Sequence, residues 1–549
     1  MKRALALSSV IVAAVFLPRP AIGQEAEGLN AISAEGIRAH VEFLADDLLE
    51  GRGTGSRGYE LAANYVASQF RALGLEPAGD DGTYFQHVNF RRSHLVPDGT
   101  SMVLVREGEE ERLEPRAHYV LSPSPLLETA EVRAPLVFVG YGVTSPELDY
   151  DDYAGVDADG KIVVMLTGAP SWIEPNARAY LSDGALKAKN AVGHGAVGTI
   201  VIWTPQSEGM FPWLALYRFS GRGSMTWVDA AGLPKTSAPQ LRGGGVVNMR
   251  TAGLLFAGAP KTLEDALANA AEGKPGSFEL RGELSLRTSS RWVGLSSPNV
   301  VALLPGSDPV LKDEYVVFTA HVDHEGIGEP QAGDSIYNGA VDNASGTAAL
   351  IEVARAFSTL PTAPRRSVLF VGTVAEEEGL LGAEYFADYP TVPIDAIVAN
   401  VNLDGNLMLY PIADIIPFGS QHSTLDEIVR DAAADLDLGI SPDPAPEQAF
   451  FIRSDQYPFV KKGIPAVFFS AGLNSSDPKL SGAMIAQEWM ATTYHTPFDD
   501  LSQEMVYEAG VRYAGVAFLT GSRLANQDTR PQWKEGDFFG DKFGRKKTP

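Results

Sequence analysis

Residues 315–324 have the sequence YVVFTAHVDH, in which an apolar, β-branched run ends in a cluster of ionisable side chains. Four similar runs lie in the second half of the chain, at residues 300–304, 367–374, 397–403 and 464–470. The stretches between them have the amphipathic spacing of helices, at residues 345–359, 380–389 and 424–436. Strands that alternate with helices predict an α/β fold with a mostly parallel sheet and helices on both of its faces.

Ionisable side chains follow several of these predicted strands or lie in loops beside them. They are His321 and Asp323, Asp342, Glu376 and Glu377, Asp404, and His495. Taken singly, each has an ordinary structural explanation, such as a helix cap for Asp342. In an open parallel sheet, however, sites form in the loops beyond the carboxyl ends of the strands. Their joint occurrence at one edge therefore predicts a functional site.

The donor types in this set indicate a metal centre. The chain has no cysteine, so a metal must be bound by imidazole and carboxylate groups, which suits zinc or manganese. Two histidines with three carboxylates exceed what one catalytic zinc needs, and they suit a pair of metals that share a carboxylate. Of two adjacent glutamates, one can bind a metal while the other takes a proton from water.

Five motifs, in this order and spacing, resemble peptidase family M28, a family of zinc metallopeptidases. They are His321-Val322-Asp323, Asp342-Asn343-Ala344-Ser345-Gly346, Glu376-Glu377-Glu378-Gly379-Leu380-Leu381-Gly382, Asp404 and His495-Thr496-Pro497. The resemblance implies two zinc ions, bound by His321, Asp342, Glu377, Asp404 and His495, with Asp342 bridging them. It also implies that Asp323 hydrogen-bonds His321 and that Glu376 is the general base. Glu378 and His324 receive no role.

The middle of the chain has a different sequence pattern, with short apolar runs between turns and one amphipathic helix near residues 184–194. Val139-Gly140-Tyr141-Gly142 and Gly160-Lys161-Ile162-Val163 resemble a protease-associated (PA) domain, which many family members carry as an insertion. We expect five regions, which are a signal peptide at 1–23, the first part of the peptidase domain at 24–119, the PA-like insertion at 120–290, the catalytic domain at 291–525 and a loosely attached tail at 526–549.

The N-terminus predicts export. Lys2 and Arg3 precede an apolar run, residues 4–17, and Ala21-Ile22-Gly23 is a plausible cleavage site. The run is shorter than the ~20 residues that a membrane-spanning helix needs, so we expect no membrane span in the mature chain. A retained anchor is the alternative, because Arg19 and Pro20 end the run.

The charge of the chain excludes one large class of partners. It has 44 basic and 69 acidic residues, a net charge of −25, so we expect no nucleic-acid partner. Loss of the three basic residues in segment 1–23 would make the mature charge −28. No motif specifies an oligomeric state or a residue preference.

These observations favour an exported aminopeptidase that acts on a peptide substrate through two metals. A carboxypeptidase of the same family is an alternative, for which Arg453 is the nearby cation that would bind a substrate carboxylate. A glutaminyl-cyclase-like activity is less favoured, because relatives with that activity use one zinc. A peptidase-like binding protein without catalysis is the third alternative, although no expected ligand position is missing.

Overall fold

The computed structural model describes residues 20–274 and 276–545. Residues 1–19 of the predicted signal peptide lie outside this part of the chain, and the first helix begins at Pro20. Within the described residues, no helix combines the length and the apolar character that crossing a membrane requires.

In chain order, the α-helices of the described residues are α1 (Pro20–Ala31), α2 (Ala34–Leu44), α3 (Arg57–Ala72), α4 (Pro175–Ser182), α5 (Gly184–Gly193), α6 (Pro205–Met210), α7 (Trp213–Ser220), α8 (Met249–Phe256), α9 (Leu263–Ala271), α10 (Ser345–Ser358), α11 (Leu381–Asp388), α12 (Leu425–Ala434), α13 (Gln456–Val460), α14 (Gly482–Thr492), α15 (Tyr507–Asn526) and α16 (Phe538–Phe543).

The strands of the same residues are β1 (Glu76–Pro77), β2 (Phe85–Leu95), β3 (Ser101–Arg106), β4 (Glu109–Leu113), β5 (Tyr119–Leu121), β6 (Thr129–Phe138), β7 (Thr144–Ser145), β8 (Tyr150–Asp151), β9 (Ile162–Leu166), β10 (Gly198–Ile202), β11 (Ser224–Val228), β12 (Gly244–Val247), β13 (Phe278–Leu304), β14 (Tyr315–His321), β15 (Gly326–Gln331), β16 (Asp334–Tyr337), β17 (Ser367–Thr373), β18 (Ile397–Leu403), β19 (Asp414–Phe418), β20 (Gly439–Ile440) and β21 (Ala466–Ala471).

The first sheet has the order β11–β2–β13–β17–β14–β18–β21–β19–β20. Its four central strands, β17, β14, β18 and β21, are parallel, and β13 runs antiparallel to β17. The predicted fold class, a mostly parallel sheet in an α/β domain, is therefore confirmed.

Helices cover both faces of this sheet. On one face, Val316 and Phe318 of β14 share a core with residues of α2, α3, α10 and α15. On the other face, Val317 packs with Phe386 of α11 and Phe459 of α13. Every residue of β14 after Tyr315 is buried, which explains why its sequence is continuously apolar instead of alternating.

A second sheet, here called the inserted sheet, has the order β4–β3–β13–β6–β9–β10–β12–β5. Strands β6, β9, β10 and β12 are parallel, and the sheet has a separate apolar core. Strand β13 belongs to both sheets, because its first half pairs with β3 and β6 and its second half pairs with β2 and β17.

Two expectations about the chain organisation are wrong. The described residues of the middle region form six helices, α4–α9, where the sequence predicted only the one that is observed as α5. The C-terminal segment is not loosely attached as far as residue 545. Phe539 of α16 is fully buried, and Asp537 Oδ2 lies 2.6 Å from His422 Nδ1. The missed contribution is apolar, because aromatic side chains of this charged segment complete a core cluster.

Candidate metal centre

The five predicted ligands lie together at the carboxyl edge of the first sheet. His321 ends β14, Glu377 follows β17 and Asp404 follows β18. Asp342 precedes α10, and His495 follows α14. Because neighbouring parallel strands end at the same edge, His321, Glu377 and Asp404 meet there, and the loops before α10 and after α14 add Asp342 and His495.

One half of the cluster is built around His321. Its Nε2 lies 3.3 Å from Asp342 Oδ1 and 3.6 Å from Asp404 Oδ1. The other oxygen of Asp404, Oδ2, accepts a hydrogen bond of 2.6 Å from Ser454 Oγ. His321 and Asp404 therefore each point one polar atom into the cluster, and their other polar atoms contact the Asp323 backbone carbonyl and Ser454.

The other half is built around His495. Its Nε2 lies 3.1 Å from Asp342 Oδ2 and 3.2 Å from Glu377 Oε2. The two oxygens of Asp342 thus face the two histidines separately. This is the arrangement expected of a carboxylate that is shared between two cation sites.

The segment that carries Asp342 is held by two buried groups. The Asp499 carboxylate accepts hydrogen bonds from the backbone N–H groups of Val341 and Asp342, both at 3.0 Å. Arg52, in the glycine-rich turn after α2, donates to the backbone carbonyls of Val322 and Gly339 at 2.8 and 2.9 Å. Arg52 therefore links the segment of His321 to the segment of Asp342.

The electrostatics of the cluster suit a cation. Burial alone would raise the pKa of Asp342, but its contacts with His321 and His495 hold that pKa well below the usual range. Burial raises the pKa of Glu377 to about 7, against the effect of His495 and with a contribution from Asp342. Carboxylates gathered this closely repel one another when ionised, and a divalent cation between them would remove that penalty.

The donor set fits zinc. His321, Asp342 and Glu377 each place a ligand atom within 4.8 Å of the others, and so do His321, Glu376 and Asp404. All of the donors are imidazole nitrogens or carboxylate oxygens, which zinc accepts in four- or five-fold shells. The residues present therefore fit a metal pair.

The Asp323 carboxylate has a different contact from the one implied by the resemblance. The backbone carbonyl of Asp323, at 3.2 Å, faces His321 Nδ1. Its carboxylate accepts hydrogen bonds from the Glu376 backbone N–H at 3.2 Å and from Thr54 Oγ1 at 3.3 Å. The contact between Asp323 and His321 is thus made by the Asp323 backbone carbonyl, whereas the Asp323 side chain contacts the loop of Glu376, and the role of Asp323 stays a prediction.

Glu376 lies on the same side of the cluster as His321 and Asp404, and it is half-buried. The pKa of its carboxyl is raised well above the usual value, first by loss of solvation and then by the negative charges of Glu377 and Asp404. Glu378, in contrast, turns away from the cluster and pairs with Arg92 at 2.5 Å.

Sequence reasoning missed three neighbours of the cluster. His324 Nδ1 lies 2.7 Å from Glu377 Oε1, and Glu325 Oε1 lies 3.6 Å from His495 Nδ1. The Tyr494 ring stacks on His495 with the ring centroids 3.8 Å apart. All three lie within two positions of a predicted site residue in the sequence, which is the signal that could have found them.

Two cavities flank this edge. The first, of about 860 Å³, extends from Glu377 and His324 to Phe219 and Arg222 and to Met225 of β11. Phe219 and Arg222 belong to the predicted PA-like insertion, residues 120–290, which is called the inserted region below. The second, of about 530 Å³, lies beyond the carboxyl ends of β9 and β10, and its lining includes Pro446, Glu447, Ala449, Ile452 and Arg453.

Residues 299–516 match peptidase family M28. These residues contain all five predicted ligands, and the fold around them is that of the first sheet and its helices. The resemblance of the five motifs to peptidase family M28 is therefore confirmed over residues 299–516.

The chain is similar to named aminopeptidases. It is 26% identical over 432 residues to aminopeptidase NAALADL1 of Rattus norvegicus, covering 69% of this chain and 52% of the relative. It is 24% identical over 469 residues to aminopeptidase YwaD of Bacillus subtilis, covering 84% of this chain and 79% of that protein. The chain spans about half the length or less of its mammalian relatives.

A solved structure shows the same fold. The aminopeptidase from Aneurinibacillus sp. strain AM-1 superposes with a TM-score of 0.52 at 20% sequence identity, over 92% of this chain and 97% of that one.

Proposed function

We propose that this protein is an exported, zinc-dependent aminopeptidase that removes N-terminal residues from peptides. The observation that carries the proposal is the Asp342 carboxylate, whose two oxygens face His321 and His495 at 3.3 and 3.1 Å. Named aminopeptidases among the relatives support the same activity.

Two zinc ions would be held in the two halves of the cluster. His321 and Asp404 would bind one ion and His495 and Glu377 the other, with Asp342 bridging. Bound zinc supplies Lewis acidity for a water molecule and for the scissile carbonyl. The protein residues set where that chemistry happens, because the second polar atoms of His321, Asp404 and Glu377 are held by Asp323, Ser454 and His324.

Glu376 would act as the general base. Its carboxylate takes a proton from the attacking water and passes it to the nitrogen of the leaving amine. The hydrogen bond from its backbone N–H to Asp323 keeps it beside the cluster. A carboxyl whose pKa is raised by its surroundings is suited to holding a proton between these two steps.

The first cavity supports an amine-bearing substrate. Among the described residues, its two arginines are paired with carboxylates, Arg92 with Glu378 and Arg222 with Glu325. Glu50 and Glu329 line the same cavity without an ion-pair partner in this part of the chain. The remaining negative charge would attract a free α-amino group.

Zinc content and peptidase activity, measured on the same preparations, test the proposal. Asp342→Asn should lower binding of both metals, whereas Asp404→Asn should lower binding of one. Each should abolish the release of chromophore from aminoacyl substrates. A purified chain that folds but binds no zinc would contradict the proposal and favour the non-catalytic alternative.

The second cavity keeps a carboxypeptidase activity as the alternative. Arg178, Lys187 and Arg453 line it, and none of them has a carboxylate within ion-pair distance among the described residues. A substrate carboxylate could be bound there. Peptides blocked at one end or the other distinguish the two activities, because an aminopeptidase requires a free N-terminus and a carboxypeptidase a free C-terminus.

Two further features of the proposal concern location and organisation. Export depends on the segment at residues 1–23, and N-terminal sequencing of the protein recovered outside the cytoplasm would locate the cleavage expected near Gly23. We assign strands β6, β9, β10 and β12 of the inserted sheet, with α4–α9, as the PA-like insertion within the peptidase domain. Its predicted limits, residues 120 and 290, are tested by limited proteolysis.

A further inference from the structure

Three successive residues after β14 contact three different parts of the metal centre. The Asp323 carboxylate accepts from the Glu376 backbone, His324 contacts Glu377, and Glu325 faces His495. The last two contacts concern the two residues that, with Asp342, form the His495 half of the cluster.

His324 holds one oxygen of Glu377. Its Nδ1 lies 2.7 Å from Glu377 Oε1, while the other oxygen, Oε2, faces His495 Nε2 at 3.2 Å. The His324 side chain is fully buried, and a Cβ at Gly339 would lie 2.5 Å from its Cγ. The imidazole is therefore confined between the backbone at Gly339 and the carboxylate that it contacts.

Glu325 faces the ring nitrogen of His495 that the cluster does not use. Its Oε1 lies 3.6 Å from His495 Nδ1, and its side chain is only 6% exposed. A histidine that binds metal through Nε2 carries its proton on Nδ1, and a carboxylate beside Nδ1 favours that tautomer and ring orientation. Glu325 is placed to do this.

A side chain of the inserted region, Arg222, contacts Glu325. Arg222, in the turn between α7 and β11, donates from Nη1 to Glu325 Oε2. Arg222 is 44% exposed at the wall of the first cavity, and it contacts none of the five predicted ligands. A chain of contacts thus runs from the inserted region through Glu325 to His495.

We propose that His324 and Glu325 are positioning residues for Glu377 and His495, and that Arg222 makes the inserted region an outer support of this one metal site. The inference rests on the proposed two-metal function. It predicts that changes in the inserted region alter the binding of one metal and leave the other unaffected.

The expected effects differ among the variants. Glu325→Gln removes the charge that orients His495, and loss of such a partner typically weakens metal binding about 10- to 100-fold. Arg222→Gln should weaken binding of the same metal by a smaller factor, because Glu325 is still present. His324→Ala should weaken that step as well, and His324→Asn should recover part of the loss, since its amide nitrogen can reach the position of Nδ1.

The measurement is zinc binding to the chelator-stripped full-length chain, by titration calorimetry and by zinc content after dialysis. Arg92→Gln and Glu378→Gln are matched controls, because this arginine–glutamate pair lines the same cavity and neither partner contacts a predicted ligand. We expect both controls to keep the two binding steps of the unmodified chain.

Three results would overturn the inference. Two binding steps that stay unchanged in Glu325→Gln and Arg222→Gln would refute the support role and leave the proposed function intact. Equal weakening of both zinc-binding steps would also refute the inference, because a general loss of structure affects both metal sites. Effects of the same size in Arg92→Gln and Glu378→Gln would refute it for the same reason. An unmodified chain that binds no zinc would refute the proposed function and the inference together.

Discussion

The two sheets each have an edge at which parallel strands end, and the two edges carry different side chains. At the first edge, β14, β17 and β18 lead to His321, Glu377 and Asp404. At the edge of the inserted sheet, β9 and β10 lead to Thr167 and Thr204, whose hydroxyl groups lie 3.0 Å apart. The topology provides a place for a ligand at both edges, but the side chains at each edge decide what chemistry occurs there.

The largest expected effect concerns the first edge. Glu376→Gln should lower kcat about 10²–10⁴-fold, because the amide cannot accept the proton from water. Its zinc content should match that of the unmodified chain, since Glu376 is not among the proposed ligands. Steady-state kinetics and metal analysis of the same preparation check this expectation.

Glu378→Gln tests the assignment within the glutamate triplet. Glu378 faces Arg92, so its substitution should cost far less activity than that of Glu376. If Glu378→Gln lost the greater part of kcat while Glu376→Gln kept it, the general base would be misassigned by sequence register.

The next effect concerns the buried carboxylate near the other edge. Asp152 accepts hydrogen bonds from the backbone N–H groups of Tyr141 and Val143 and from the Tyr150 hydroxyl. Asp152→Asn removes one acceptor, which should lower the free energy of unfolding by about 1–3 kcal/mol. Thermal denaturation measures this loss, and kcat should stay unchanged. A loss of kcat with unchanged stability would mean that the two edges do not differ in the way described.

The last expected effect is a pH dependence in the inserted sheet, which is spread over several pH units. Burial lowers the pKa of Lys187 to about 7, and its Nζ donates to the backbone carbonyls of Leu166 and Gly168. Between this pKa and the unfolded value the unfolded chain binds more protons, so Lys187 makes stability rise with pH, by up to about 1.4 kcal/mol per pH unit.

Lys187→Met should remove this slope. The melting temperature of the unmodified chain, relative to that of the variant, should therefore rise between pH 7 and pH 9. Lys189→Met is the control, because Lys189 is exposed on the same helix, α5, and should show no such trend. A difference between Lys187→Met and the unmodified chain that stays constant with pH would contradict the expectation.

Much of the first sheet could be predicted from the sequence. The strands are long, apolar and separated by helices with clear spacing, so β14, β17, β18 and α10 lie within a few residues of their predicted limits. Three of the five predicted ligands, His321, Glu377 and Asp404, are brought together because the topology places the ends of their strands at one edge. Their roles remain predictions that the experiments above test.

The other parts of the fold and of the site depend on contacts between distant residues, which the hydrophobic pattern of one sequence does not reveal. Helices α6 and α7 are short and have exposed apolar residues, so their periodicity is weak. The link between Arg222 and Glu325 joins two loops that are 103 positions apart in the sequence, one before β11 and one after β14. The buried tail has no long periodic run, and only its aromatic residues indicate that it packs.

Strand β13 has a mechanical consequence. Its 27 residues would measure about 90 Å if fully extended, and its ladder bonds pass from one sheet into the other without a break in the strand. A rotation of one sheet relative to the other would break hydrogen bonds of these ladders, because β13 is continuous and contains no loop that could serve as a hinge. We therefore expect the inserted sheet to act as a fixed wall of the cleft, with any opening left to the short helices before β11.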